Sequence, residues 1–273
     1  MTRELRVLPV EGMPEVREGD RVGELIVAGV ELEPGDIVVI SQKIVSKAEG
    51  RMVQLDSVTP SQQALELAER LGKGAEFVEL VLSESRVVLR DERVLITETH
   101  HGFVCANAGI DSSNLPGDDT VCLLPKDSDA SARLIRKQLS DAAERAGVAL
   151  PRHSTASHRR MVSGEGHPGP PPALVIAYSF GRAWRRGQAE VAIGCAGLQP
   201  LDDWRGRRDA SGRELSATVI AIADEVAAAA DLVRGKDEGV PAVVVRGLSR
   251  YVGTEDGPGA AALQRPSGED LFR

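Results

Sequence analysis

"DIVVISQKIVS", residues 36–46, follows the turn signal "EPGD" and opens on four consecutive β-branched apolar residues, Ile37 to Ile40. A run of that kind offers no polar face to water, so the whole stretch reads as a buried strand. Upstream, "ELRVLPV" reads as a short strand ending at a turn. Downstream, "TPSQQALELAERLG" predicts a helix with Thr59 as cap, Pro60 at its first position and Gly72 as its stop. "AEFVELVLSESR" predicts a second helix, and "RVVLR" with "RVLITET" the two arms of a strand pair. "DDTVCLLP" and "PAVVVRGL" read as further strands. Two longer helices are expected: one over residues 127–147, with Ile135, Leu139, Ala142 and Ala146 on one face, and one over 216–235, with Val219, Ile222, Ala223, Val226, Ala230 and Val233. Strands and helices mix without a strict βαβ rhythm, which predicts an α+β fold of mixed and antiparallel sheets with flanking helices.

The 273 residues are enough to bury a substantial core, and 42% hydrophobic against 27% charged is ordinary for a globular protein. A net charge of -8 and 3% aromatic residues disfavour nucleic-acid binding, which needs clustered cations or stacking platforms. Cys105, Cys122 and Cys195 sit apart in apolar runs and read as buried free thiols. No apolar segment reaches the roughly 20 residues of a membrane span, and the N-terminus lacks the pattern of a signal peptide, so the expected location is the cytoplasm. Residues 151–172, "PRHSTASHRRMVSGEGHPGPPP", are polar and rich in Pro and Gly, as is the tail 251–273. The first reads as a flexible insertion and the second as a disordered tail. The insertion holds three of the five histidines, but at no spacing that fits a ligand set.

Chemistry concentrates in a few polar, glycine-rich stretches. "VEGMPEV", "SQKIVSKAEGR", "NAGIDSSN" and "RGKDEGVP" fall at strand and helix ends, where unpaired backbone N–H groups suit phosphate oxygens. Lys43 and Lys47, four apart, are either a solvated basic edge or a paired phosphate contact. Asp111 caps a turn or ligates a cation together with the oxygens of Asn107, Ser112, Ser113 and Asn114; one carboxylate alone makes no dedicated cation site, so phosphates and waters would complete the shell. A third group of arginines, Arg182, Arg185, Arg186, Arg205, Arg207, Arg208 and Arg213, is either an anion trap or a pair of solvated loops. No Walker loop, dinucleotide fingerprint, zinc-protease helix or nucleophile elbow is present.

Taken in order, "PVEGMPEV", "SQKIVSKAEGR", "HGFVCANAGIDSSN", "SFGRAWRRGQAEVAIGCAG", "DDWRGRRDASGRELSATV" and "GVPAVVVRGL" resemble the coenzyme F420-0:L-glutamate ligases, the gamma-glutamyl ligases of deazaflavin coenzyme biosynthesis. The likeness covers about residues 5–150 and 173–250, and implies one ligase-like domain over residues 1–250. It implies two intertwined subdomains, a homodimer, and GTP-dependent amide formation through an acyl phosphate. Mg²⁺ or Mn²⁺ would bridge the phosphates and K⁺ would be a further activator. The partners are then GTP, L-glutamate and coenzyme F420-0, with neither nucleic acid nor membrane. Nucleotide contacts fall on Met13, Pro14, Glu15, Val16, Gln42, Lys47, Asn114 and the loop Arg234, Gly235, Lys236, Asp237, Glu238, Gly239, Val240. Metal ligands fall on Asp111 and Ser179; no catalytic residue is assigned.

The chain departs from the family pattern at telling places. An Asp is expected directly before Ser179, and Tyr178 stands there. A phenol with a reference pKa of about 10 is a poor ligand for a hard cation at neutral pH. Lys236 occupies the second-metal position of the late loop, and its ammonium cannot ligate. Ala183 stands for the usual Pro after "GR". Two alternatives follow: a ligase of the same chemistry for another carboxylate and amine, or a catalytically impaired nucleotide-binding homologue.

Overall fold

The computed structural model describes residues 4–113, 115, 117, 119–147 and 169–270. In chain order, β1 (Arg6–Pro9) and α1 (Val22–Gly29) precede β2 (Ile37–Ser41) and α2 (Gln42–Ala48). A second unit follows: β3 (Met52–Gln54), α3 (Gln62–Leu71), α4 (Ala75–Ser83), β4 (Ser85–Glu92), β5 (Val94–Thr99), β6 (Val104–Ala106) and β7 (Thr120–Cys122). The chain then returns through α5 (Ser128–Arg145), β8 (Ala173–Gly181), β9 (Gln188–Ala196), β10 (Leu201–Asp203), β11 (Val219–Ala221), α6 (Ile222–Asp231) and β12 (Ala242–Arg246). The fold is α+β, as the sequence predicts.

Five strands form the main sheet in the order β1-β12-β2-β8-β9, with only the β2–β8 pair parallel. β2 sits at its centre, and its side chains alternate between two cores. Val38 and Ile40 pack with Ile26 of α1 and Ile135 and Leu139 of α5; Ile37 and Val39 pack with Ile222 and Val226 of α6. The approach of α5 to β9 is close enough that a Cβ added at Gly194 would lie 2.3 Å from the Ser128 carbonyl oxygen. The second unit has its own core, in which Leu67, Val78, Val81 and Leu95 meet Ala108 and Ile110. Among the described residues, no helix is long and apolar enough to cross a membrane.

Several local expectations change. The strand expected over 36–46 ends at Ser41, whose hydroxyl accepts from Lys43 N and starts α2, so Gln42 to Ala48 are helical. The cap of α3 is Ser61 rather than Thr59, because its hydroxyl accepts from Ala64 N; Gly72 ends the helix in the left-handed region, φ 63°. Val219 pairs with Asp203 as part of β11 and does not belong to α6. Ala146 is exposed beyond the end of α5.

The segment expected as a disordered tail packs against the main unit over residues 251–270. Fully buried Arg136 donates to Pro172 O (3.0 Å), Gly253 O (2.6 Å) and Asp256 Oδ1 (2.9 Å), while Asp129 Oδ1 accepts from Ala260 N (2.7 Å) and Cys195 N (2.9 Å). The docking is polar, which is why low apolar content misreads it. Residues 148–168, which include 151–168 of the expected insertion, and 271–273 lie outside the described residues.

Candidate functional site

One cavity of about 850 Å³ opens where the two units meet, and its walls come from six separate stretches of chain, five of which carry most of the polar groups. Met13, Pro14, Glu15 and Val16 form one side; Gln42, Lys43 and Lys47 project from α2; Cys105, Asn107 and Asp111 to Ser113 come from the loop after β6; Tyr178, Ser179, Gln188 and Glu190 belong to the β8–β9 hairpin; Arg234 to Lys236 and Gly239 to Pro241 close it. The early end of β2 is decisive. On a continuing strand the two lysines would share one face about four residues' rise apart; as neighbours on one helical face both reach the cavity.

Most residues predicted for the nucleotide therefore converge. Asp237 and Glu238 are exposed on the same loop but do not line the wall, and Asn114 lies outside the described residues. The Gln42 amide is committed inward, donating to Ser46 Oγ (2.7 Å) and Leu123 O (3.1 Å), and so braces α2 against the second unit. Lys47 is ion-paired with Glu15, which ties the Met13–Val16 turn to the helix. None of the seven clustered arginines lines the cavity. Arg182 donates to Arg186 O, Arg205 grips Asp203, Arg207 stacks on Trp204 at 5.0 Å, and Arg208 donates to Gly212 O. They staple their own loops. Sequence reasoning missed Lys73, Phe77 and Phe180, which reach the cavity from α4's approach and from β8; a long-range approach leaves no local signal.

Asp111 is set by a strained turn. Asn107, Ala108 and Gly109 all have positive φ, 50°, 53° and 73°, and for Ala108 that conformation is unfavourable. It is held because Ala108 and Ile110 are buried in the second core. Asp111 then pairs its backbone with Cys122 in both directions, 3.0 and 2.8 Å. Its Oδ1 accepts from Ser113 N and Oγ, both at 2.7 Å, and its Oδ2 lies 3.0 Å from Lys43 Nζ. Burial alone would raise its pKa, but the Ser113 bonds and the Lys43 charge outweigh it and hold the carboxyl below its ordinary value. Tyr178 is pushed the other way, by burial first and then by the charge of Asp111, so its phenol stays protonated.

Across the cavity, Ser179 Oγ donates to Glu190 Oε1 (2.6 Å) and accepts from Lys236 Nζ (3.0 Å). Glu190 Oε2 lies 2.8 Å from Arg234, with both side chains under a tenth exposed. Five cations (Lys43, Lys47, Lys73, Arg234, Lys236) against four carboxylates (Glu15, Asp111, Glu190, Asp231) leave the lining at +1 in a chain of net charge -8. The lining is thus more positive than the chain as a whole, a balance compatible with an anionic ligand.

Residues 12–247 match the sequence pattern of the family described as F420-0:Gamma-glutamyl ligase. The chain belongs to this family of enzymes. It is 42% identical to a protein named coenzyme F420:L-glutamate ligase from Methanothermobacter thermautotrophicus, across 98% of this chain and 99% of that one. Relatives of the same name from Archaeoglobus fulgidus and Methanocaldococcus jannaschii are 41% and 36% identical, over 90% and 100% of this chain and 88% and 100% of theirs.

The donor set of this F420-0:gamma-glutamyl ligase family member tests the metal expectation. Among the described residues no group of three or more His, Cys, Asp or Glu side chains is placed to hold a metal ion. Asp111 offers the cavity a carboxylate engaged by Ser113 and by the Lys43 ammonium at 3.0 Å, so it would hold a divalent cation only with Lys43 displaced and with phosphate oxygens and water as the other ligands. Ser179 does not fit. Its hydroxyl is engaged by Glu190 and by an ammonium, and Tyr178 adds no charge.

Proposed function

We propose that this protein is a GTP-dependent ligase that joins L-glutamate to coenzyme F420-0. The observation that carries the reading is the convergence of Lys43, Lys47, Arg234 and Lys236 with one ionised carboxylate, Asp111, in a single cavity. The names of the family and of the relatives point to F420-0 and L-glutamate, and GTP comes from the sequence resemblance alone. A carboxylate oxygen of F420-0 attacks the γ-phosphorus of GTP, the bond to GDP breaks, and an acyl phosphate forms. The glutamate nitrogen, having lost a proton, attacks the acyl carbon and phosphate leaves with the C–O electron pair. Phosphoryl transfer depends mostly on positioning and on neutralising charge. Lys47 and Lys43 neutralise from α2, Lys236 from the late loop, and Asp111 with phosphates would hold Mg²⁺ or Mn²⁺, which lowers the charge on the transferred group. The same reading carries a homodimer, K⁺ as a further activator and a cytoplasmic location.

One observation favours a second reading. Tyr178, protonated where a ligand Asp is expected, supports an impaired homologue that binds nucleotide without turning it over. GDP release from GTP with Mn²⁺, L-glutamate and F420-0, followed by mass detection of the glutamylated product, separates the two. Product that disappears in Asp111→Ala supports the ligase. GTP bound without turnover at high Mn²⁺ supports the binder, and neither binding nor product overturns both.

A further inference from the structure

With four Phe, two Tyr and two Trp in 273 residues, the chain brings Phe77, Tyr178 and Phe180 into the wall of the same cavity. Side chains of a strand alternate between its faces. Tyr178 and Phe180 therefore share the face of β8 that packs with Ile176 on the first core, and Ser179 lies on the other face with Glu190. Phe180 is held edge to face by two rings, Tyr178 at 5.3 Å and Phe103 at 6.2 Å, with interplanar angles of 76° and 73°. Phe77 comes from α4 in the second unit. The stretch 105–107, which also lines the cavity, links the two groups, because β8 packs on β6 and α4 packs on the turn that follows it. All three lining rings are only half-buried, so the two cores cover them incompletely.

Lys73 adds a charge beside Phe77. Its ammonium stands 5.1 Å from the centroid of that ring, a weak contact at an open site. Lys43, Lys47 and Arg234 each pair with a carboxylate, and Lys236 donates to Ser179. Among the described residues Lys73 pairs with no carboxylate, and its ammonium is available to an incoming anion. Aromatic walls with a few placed polar groups are how proteins hold planar cofactors.

We propose that Phe77, Tyr178 and Phe180 form the subsite for the deazaflavin ring of F420-0, and that Lys73 neutralises an anionic group of the same molecule. The inference rests on the ligase reading and assigns its acceptor a place. Tyr178 joins this subsite to the Asp111 corner, since the Asp111 charge helps to hold its phenol protonated. An acceptor lying along the rings can then present its carboxylate at the corner where the phosphoryl group is transferred. The Asp expected at position 178 would add charge where Tyr178 adds ring surface.

The test titrates the full chain with F420-0, followed by deazaflavin fluorescence, in the presence of Mn²⁺ and a non-hydrolysable GTP analogue. Calorimetry measures the analogue separately. Lys73→Met and Phe180→Leu, both checked for folding by circular dichroism, are each expected to weaken F420-0 about 3- to 10-fold and to leave the analogue within about twofold. F420-0 affinity unchanged in either variant would overturn the inference and leave the ligase reading intact. A weakened analogue with F420-0 unaffected would overturn it too, and would give the rings to guanine. A wild type that binds no F420-0 would remove the ligase reading and the inference with it.

Discussion

Two corners of the cavity are built from the same side-chain types, a lysine, a serine and a carboxylate, and they are built inside out with respect to each other. At the first, Asp111 faces the cavity with 27% of its side chain exposed, held by Ser113 and by Lys43, which lines the same cavity. At the second, Glu190 is the buried brace, and Ser179 and Lys236 face outward. The first corner presents an anion and the second a cation. Under the proposed function, that difference would bring a cation with its phosphates to Asp111 and a phosphate oxygen to Lys236.

The largest effect should separate the corners by activity. Asp111→Asn removes the one ionised carboxylate that fits a divalent cation, and is expected to lower kcat/KM by about 10³-fold, several kcal/mol of transition-state charge stabilisation. Ser179→Ala removes only an orienting hydroxyl and should cost about tenfold, the low end for a supporting bond. Steady-state kinetics of both variants, with mass detection of product, checks this. Equal losses would mean that both corners hold metal.

Stability should order the corners the other way. Glu190→Gln leaves the buried Arg234 guanidinium only the more distant Asp231 carboxylate, at 3.7 Å, and should cost up to the roughly 3 kcal/mol at the low end for a broken buried pair. Asp111→Asn, at a half-open site, should cost far less. Urea midpoints of the two variants decide it, and a more damaging Asp111→Asn would reverse the assignment of brace and ligand.

Sequence reading reached the corners unequally, for a physical reason. Asp111 announces itself because its oxygen-rich neighbours are adjacent in sequence, and Lys47 because it lies within a recognisable stretch. Glu190 does not, because its partners Ser179 and Arg234 are brought to it by the β8–β9 register and by the loop after α6. Lys73 and Phe77 come from another unit altogether. The fold shows the same divide. Periodicity and glycine stops gave α3, α4 and α5, and the β-branched run gave β2. The strand-to-helix switch at Ser41 depends on one hydroxyl accepting one N–H, and Ile44 and Val45, buried on the helix, look like strand residues. The tail is held by Arg136 and Asp129, polar contacts that composition does not reveal.

A third variant probes the residue between the corners. Tyr178→Asp places a second carboxylate beside Asp111, where like charges repel until a cation arrives. The variant should melt at a lower temperature than the parent in EDTA and recover with Mn²⁺, with Mn²⁺ affinity raised about tenfold, the low end for an added ligand-shell group. Thermal melts across a Mn²⁺ series check it. A melt indifferent to Mn²⁺ would show that Asp111 cannot share an ion with position 178.

The smallest effect is in the pH dependence of the first corner. The Asp111 carboxyl is held below its ordinary value of 3.8, because the Ser113 bonds and Lys43 together outweigh burial. A depressed carboxyl binds its proton less readily in the folded state than in the unfolded chain, so its contribution to stability is fully present above the unfolded value. It is lost as pH falls past 3.8 and through the lower folded value. Wild type should therefore exceed Asp111→Asn in urea midpoint at pH 7, and the gap should close as the pH falls below 3.8 and the folded carboxyl takes up its proton. Midpoints measured along that series, in chelator so that no metal contributes, test it. A gap that widens on acidification would mean that burial dominates and that Asp111 enters the fold as a neutral acid, which would leave the first corner without its anion.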